Sequence, residues 1–228
     1  MHTPMVFIDL IFVLVVATAA VLFWEASGRL RWMPMLMGGW VLVQSAGAVA
    51  GFYSVTDTIP PRFLLLIAPP VVLIAVLFLT VRGRRLMSHF DPERTLYVHS
   101  ARIGVEIVLY LLAQSRFIPE LLTWEGRNMD ILIGITAPFV GFFGYRKGVL
   151  PRRFLLFWDA AGILCLLNVA YHGILSAPSA FQQFSFDRPN LMPIYFPYVL
   201  IPALLVPMML TAHLITITAY MQRDARMS

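Results

Sequence analysis

Seven times between residues 5 and 220 the chain runs through about twenty mostly apolar residues and then breaks into a short polar loop. A bilayer core of about 30 Å takes roughly 20 helical residues to cross. The runs predict an all-α, polytopic membrane protein: a single domain over 1–228 with transmembrane helices at about 5–25, 31–53, 61–81, 92–117, 128–146, 153–176 and 194–220. No loop is long enough to hold a soluble domain. The longest are 82–94 and 177–193, the latter an amphipathic connection with Phe181, Phe184 and Phe186.

Composition agrees with lipid as the solvent. Only 13% of the residues are charged and 59% are hydrophobic, with a mean hydropathy of +0.78. A soluble domain carries about 25% charge. Too few polar groups remain to cover a water-facing surface, and disorder, a coiled coil and a collagen-like fibre are excluded. The lone cysteine, Cys165, lies in an apolar run and forms no intrachain disulfide.

The net charge of +5 would suggest nucleic acid in a soluble chain. Here the basic residues occupy loops, so topology explains them and no nucleic-acid partner is expected. Arg29, Arg31, Arg82, Arg84, Arg85, Arg94, Arg146, Lys147, Arg152, Arg153, Arg223 and Arg226 fall on one side of the seven spans. Arg62, Arg116, Arg127 and Arg188 fall on the other, and Arg102 lies within a span. The positive-inside rule then predicts an external N-terminus and a cytoplasmic C-terminus. A bacterial inner (plasma) membrane is the expected location, with the lipid bilayer as partner. The first run lacks a basic leader and a small-residue cleavage site, so it is expected to be a retained helix.

Several spans carry breaks. Pro69-Pro70 interrupts the third, Pro138 the fifth, and Pro197, Pro202 and Pro207 the seventh. Each proline removes a donor and frees a carbonyl one turn earlier, and in lipid that carbonyl needs a protein or water partner. Gly47 and Gly51 form a small-xxx-small pair, and Gly134, Gly141 and Gly144 predict close helix packing in the fifth span. No strand precedes these glycines, so no phosphate loop is present.

Ionisable residues inside spans are costly and therefore point to function. The fourth span, opened by the cap signature Asp91-Pro92-Glu93, is the richest. His99, Arg102, Glu106 and Tyr110 share one helix face, and the spacing predicts that Arg102 pairs with Glu106. Asp159 and His213 reach a similar depth in the sixth and seventh spans, and Gln44 in the second is a further candidate. A second set is expected toward the outside: Asn128 and Asp130 as cap and first-turn acid of the fifth span, Asn168 and His172 on one face of the sixth, with Asp9 and Tyr53 nearby.

These side chains permit more than one chemistry. His99, Glu106, Asp159 and His213 are metal-ligand types, though no HExxH or cysteine pair is present. His99 and His213 are the one inner pair suited to axial haem ligation. A retinal Schiff base is excluded, because the only lysine, Lys147, lies in a loop. Ser100 beside His99 faces elsewhere, and no nucleophile elbow exists. The leading expectation is a protein that binds or moves a small solute or ion through an inner-half polar cavity. Glu106 is its protonatable group and Arg102 the partner, with His99, Asp159, His213 and Gln44 around them. The alternatives are an intramembrane metal- or haem-dependent enzyme, and an accessory subunit whose polar groups are locked in ion pairs.

Overall fold

The computed structural model describes residues 3–224, and Arg226, used above for orientation, lies outside them. Among the described residues the fold is all-helical with no strand. Five segments are long and apolar enough to cross a membrane: Met5–Ala26, Arg62–Leu79, Pro92–Gln114, Arg152–Ser176 and Ile201–Met221. The protein is therefore helical and of integral-membrane character.

Helix α1 (Thr3–Ala26) shows why. Ile8, Phe12, Val16, Ala19 and Phe23 recur every three to four residues and are buried on the face that packs against the fourth span, Pro92–Gln114. On the opposite face Phe7, Leu10 and Leu14 are each at least 60% exposed. A helix apolar all round, with large side chains on its open face, is built for hydrocarbon. Helix α2 (Met33–Val49) is also apolar but has only 17 residues, about 25 Å at helical rise. Gly51 lies beyond its end at φ 73°, so it turns the chain there and forms no packing pair with Gly47.

The third run is divided at its prolines. A 3₁₀ turn over Arg62–Leu66 is followed by α3 (Ala68–Leu79). Pro69 and Pro70 fall in the first turn of α3, where a missing N–H costs nothing. The 82–94 loop holds a short helix, α4 (Val81–Met87), capped by the Thr80 hydroxyl accepting from the Gly83 N–H at 3.1 Å. Helix α5 (Pro92–Val98) starts at the expected cap, with Asp91 accepting from the N–H groups of Glu93 (2.9 Å) and Arg94 (3.2 Å). It continues after a tight turn as α6 (Ala101–Gln114).

Helix α7 (Asp130–Phe139) contains Pro138 and runs on as a π-helical stretch, Val140–Arg146. It packs tightly on the fourth span: a Cβ on Gly134 would meet Ile103 at 3.0 Å, and one on Gly141 would meet Tyr97 at 2.8 Å. Those contacts also set its depth. Asp130 is level with Arg102, three turns short of Gln114, so α7 begins in the middle of the bundle. Residues 115–129 turn back into the protein to reach it, burying Ile118, Leu122, Thr123 and Asn128. The sequence alone places the start of α7 toward the outside. This returning segment is why it lies deep.

Helix α8 (Arg152–Ser176) is continuous. The last span begins with a π-helical turn, Ile201–Leu205, and proceeds as α9 (Val206–Asp224). Pro207 leaves the Ala203 carbonyl without its α-helical donor, and the Trp40 indole N–H supplies one at 2.8 Å. Pro92–Gln114 and Ile201–Met221 are 56% and 61% buried over their most apolar stretches, against 28% for Met5–Ala26. These two spans are the core of the bundle, and the others shield them.

Candidate functional site

The fourth span is not a uniform helix. At its centre the N–H of His99 bonds to Leu96 O (3.2 Å), that of Ser100 to Tyr97 O (3.1 Å) and that of Arg102 to His99 O (3.0 Å). These three-residue steps form a 3₁₀ turn, which places residues three apart directly above one another. His99 and Arg102 are thereby aligned, and one α-helical turn later Glu106 joins them. All three are at most 2% exposed.

Arg102 organises the middle of the bundle. Its Nη1 donates to Asp130 Oδ1 at 3.0 Å and its Nη2 to His213 Nε2 at 3.2 Å. A guanidinium has no acceptor, so His213 Nε2 is the accepting nitrogen and the ring proton sits on Nδ1. From there it is donated to Asp159 Oδ1 at 2.7 Å. The Thr216 hydroxyl donates to the same oxygen at 2.8 Å. A chain of Asp130, Arg102, His213, Asp159 and Thr216 thus links α7, α6, α9 and α8.

Glu106 has a different partner from the one its spacing predicts. The Asn128 amide donates to Glu106 Oε1 and, at 3.1 Å, to Leu122 O, while Asn128 Oδ1 accepts from the Asp130 N–H at 2.9 Å. Arg102 therefore pairs with Asp130 and not with Glu106. The physical reason is the returning 115–129 segment, which inserts Asn128 and Asp130 beside α6. Asp130 occupies the first turn of α7 as predicted, but the N-cap position is Met129, and Asn128, one residue earlier, accepts from the Asp130 N–H.

The remaining candidates stay apart from this cluster. Asn168 donates to Arg127 O at 2.7 Å, and the two ring nitrogens of His172 meet Asn168 O (2.9 Å) and Arg127 Nη1 (3.4 Å). Gln44 accepts from the Tyr53 hydroxyl. Tyr198 donates to Asp9 at 2.5 Å, and Tyr110 stacks on Trp124.

Ligand atoms of His99, Asp159 and His213 lie within 4.8 Å of one another, and all three residues are fully buried. Glu106 is outside this group. The imidazoles of His99 and His213 stack, with centroids 3.9 Å apart and planes at 26°. Face-to-face rings this close leave no room for a macrocycle between them, so they are not an axial haem pair. Trp158 closes the side, its ring 5.6 Å from His99 and 5.5 Å from His213, and its N–H donates to Thr136 at 2.9 Å. Both nitrogens of His99, and Asp159 Oδ2, have no hydrogen-bond partner.

Three contributors escape a search for charged residues. Thr216 lies three positions after His213, on the same face. Trp158 precedes Asp159. Gly162 lies one turn beyond Asp159, and a Cβ there would come within 2.3 Å of His213 Cε1 and 2.4 Å of Nε2. The repeated three-residue spacing is the signal that could have found Thr216 and Gly162.

Next to Arg102 is a cavity of about 110 Å³, bounded by Arg102, Glu106 and Asp130 on one wall and by Val105, Leu109, Leu166, Met209 and other apolar residues elsewhere. A single water needs about 10–15 Å³ measured this way, so the space admits several waters or a small molecule. Arg102 Nε and Glu106 Oε2 have no protein partner. The chamber itself is almost wholly apolar, and the unpartnered donor and acceptor belong to two residues of its wall but are covered there by neighbouring atoms.

No curated protein and no solved structure matches this chain. A family profile does, over residues 59–221, and that stretch holds every member of the buried cluster but neither α1 nor α2. On that match the chain belongs to the family described as Domain of unknown function (DUF8737).

Proposed function

We propose that this protein is a seven-helix bundle of the bacterial inner membrane, one domain with its N-terminus outside, that binds or moves a small solute or ion through the cavity at Arg102, Glu106 and Asp130. In this reading α2 and α7 are the two spans beyond the five long ones; both are short, and α7 is completed by the returning segment. Half-helices that start inside a bundle recur where membrane proteins build binding sites.

The observation that carries the reading is the cavity with its two unpartnered polar atoms, Arg102 Nε and Glu106 Oε2. Leaving such atoms unsatisfied costs about 1–3 kcal/mol each. A solute with an apolar body and a head that both accepts and donates would satisfy them once a small shift of the Arg102 and Glu106 side chains uncovers them to the chamber. An accessory subunit with fully locked ion pairs would have neither the space nor the spare atoms.

The test is a thermal-unfolding screen of the protein in detergent with short-chain carboxylic acids, amides and alcohols, beside proton flux in liposomes. At least one probe should raise the wild-type midpoint, and Met209→Trp, which fills the chamber, should abolish the shift. Probes that act equally on both proteins, with proton flux unchanged by Glu106→Gln, would overturn the reading.

A further inference from the structure

A second cluster lies against Arg102, and none of its residues lines the cavity. We propose that His99, Asp159 and His213 bind one divalent transition-metal ion of the zinc type. Two imidazoles and one carboxylate form the three-ligand set that leaves a fourth position free for water or substrate. The inference is independent of the solute reading, since it uses different residues and a different space.

Three observations carry it. The ligand atoms come from three separate helices yet fall within 4.8 Å of one another. Both His99 nitrogens and Asp159 Oδ2 are buried and unpartnered, whereas both His213 nitrogens, Asp159 Oδ1 and the Thr216 hydroxyl are used. Buried polar atoms are ordinarily satisfied, and a cluster of exceptions on metal-ligand side chains calls for a missing partner. Finally, the surroundings are those of a supported site. Thr216 holds the Asp159 oxygen that faces His213, Trp158 is fixed by Thr136, and Gly162 alone makes space for the His213 ring.

The stacked rings must turn for both imidazoles to aim at one ion. His99 has no hydrogen bond to lose in doing so, only its ring contacts with His213 and Trp158.

Binding also reaches the cavity. His213 now donates from Nδ1 and accepts at Nε2. If the ion takes Nδ1, the proton leaves that nitrogen and the neutral ring carries its one N–H at Nε2, where it faces the Arg102 donor. If the ion takes Nε2, it displaces Arg102 directly. Either way one arm of the guanidinium is released from His213, leaving Asp130 as its anchor beside the cavity.

The experiment is titration of the chelator-treated, full-length protein in detergent with Co²⁺, followed by Zn²⁺. One Co²⁺ should bind per chain with the visible absorption of a low-coordinate ion, and Zn²⁺ should displace it. His99→Gln, Asp159→Asn and His213→Gln should each weaken binding by more than the about 10–100-fold expected for loss of an outer-shell partner. The surface variant His89→Gln should leave binding unchanged, as should the cavity-filling Met209→Trp, which separates this site from the solute reading. Wild-type protein that binds no Co²⁺ saturably would overturn the proposal whatever the variants do. So would a site that survives all three substitutions.

Discussion

Arg102 and Asp130 form a buried ion pair, Nη1 to Oδ1 at 3.0 Å, with side chains only 2% and 9% exposed. It ties the central span to the start of α7 in the middle of the bundle. Breaking such a pair strands a charge and costs about 3–5 kcal/mol. Asp130→Asn should destabilise by that order in detergent unfolding. Arg102→Met combined with Asp130→Leu should cost much less than the two single changes together. Additive losses would mean that the pair is not the coupling described.

Gly162→Ala tests the fit of His213. The new methyl would sit within 2.4 Å of the ring, and overpacking of this kind costs about 1–3 kcal/mol. The same change at Gly173, where the nearest atom is 3.7 Å away, should be neutral or slightly stabilising. Equal midpoints for the two variants would contradict the packing.

Trp40 and Pro207 should behave as a coupled pair through the Ala203 carbonyl. Trp40→Phe removes the donor to the Ala203 carbonyl and should cost about 1–3 kcal/mol. With Pro207→Ala present, residue 207 regains an N–H that can serve that carbonyl, and the cost of Trp40→Phe should shrink. A double-mutant cycle with no coupling would dismiss this account of the proline break.

Glu106→Gln separates folding from function. Glutamine keeps the shape and an acceptor for Asn128, so the unfolding midpoint should move by less than about 1 kcal/mol equivalent. Solute-induced shifts should nevertheless disappear. A variant that unfolds outright would assign Glu106 to structure instead.

Local chemistry was legible in the chain. Asp91, Pro92 and Glu93 announce the start of α5 because a cap is satisfied within one turn. Asp159 and His213 could be assigned one depth because helical rise is constant, and they do bond to each other. The partner of Arg102 was not legible. Its choice of Asp130 over Glu106 depends on residues 115–129 returning into the bundle, and that path is set by long-range burial of Ile118, Leu122 and Asn128. Hydropathy likewise marks a second and a fifth run but not how short α2 and α7 are.

The 3₁₀ turn at His99 and Ser100 sets the rotational phase of everything beyond it. Deleting Ser100 would leave each apolar run, and hence the hydropathy profile, almost unchanged. Yet it would rotate α6 by about 100° relative to α5, swinging Arg102 and Glu106 out of the bundle towards the acyl chains. A chain with nearly the same apolar profile would then lack the site. The angular bookmark in the middle of the fourth span therefore encodes information that no average over residues can hold.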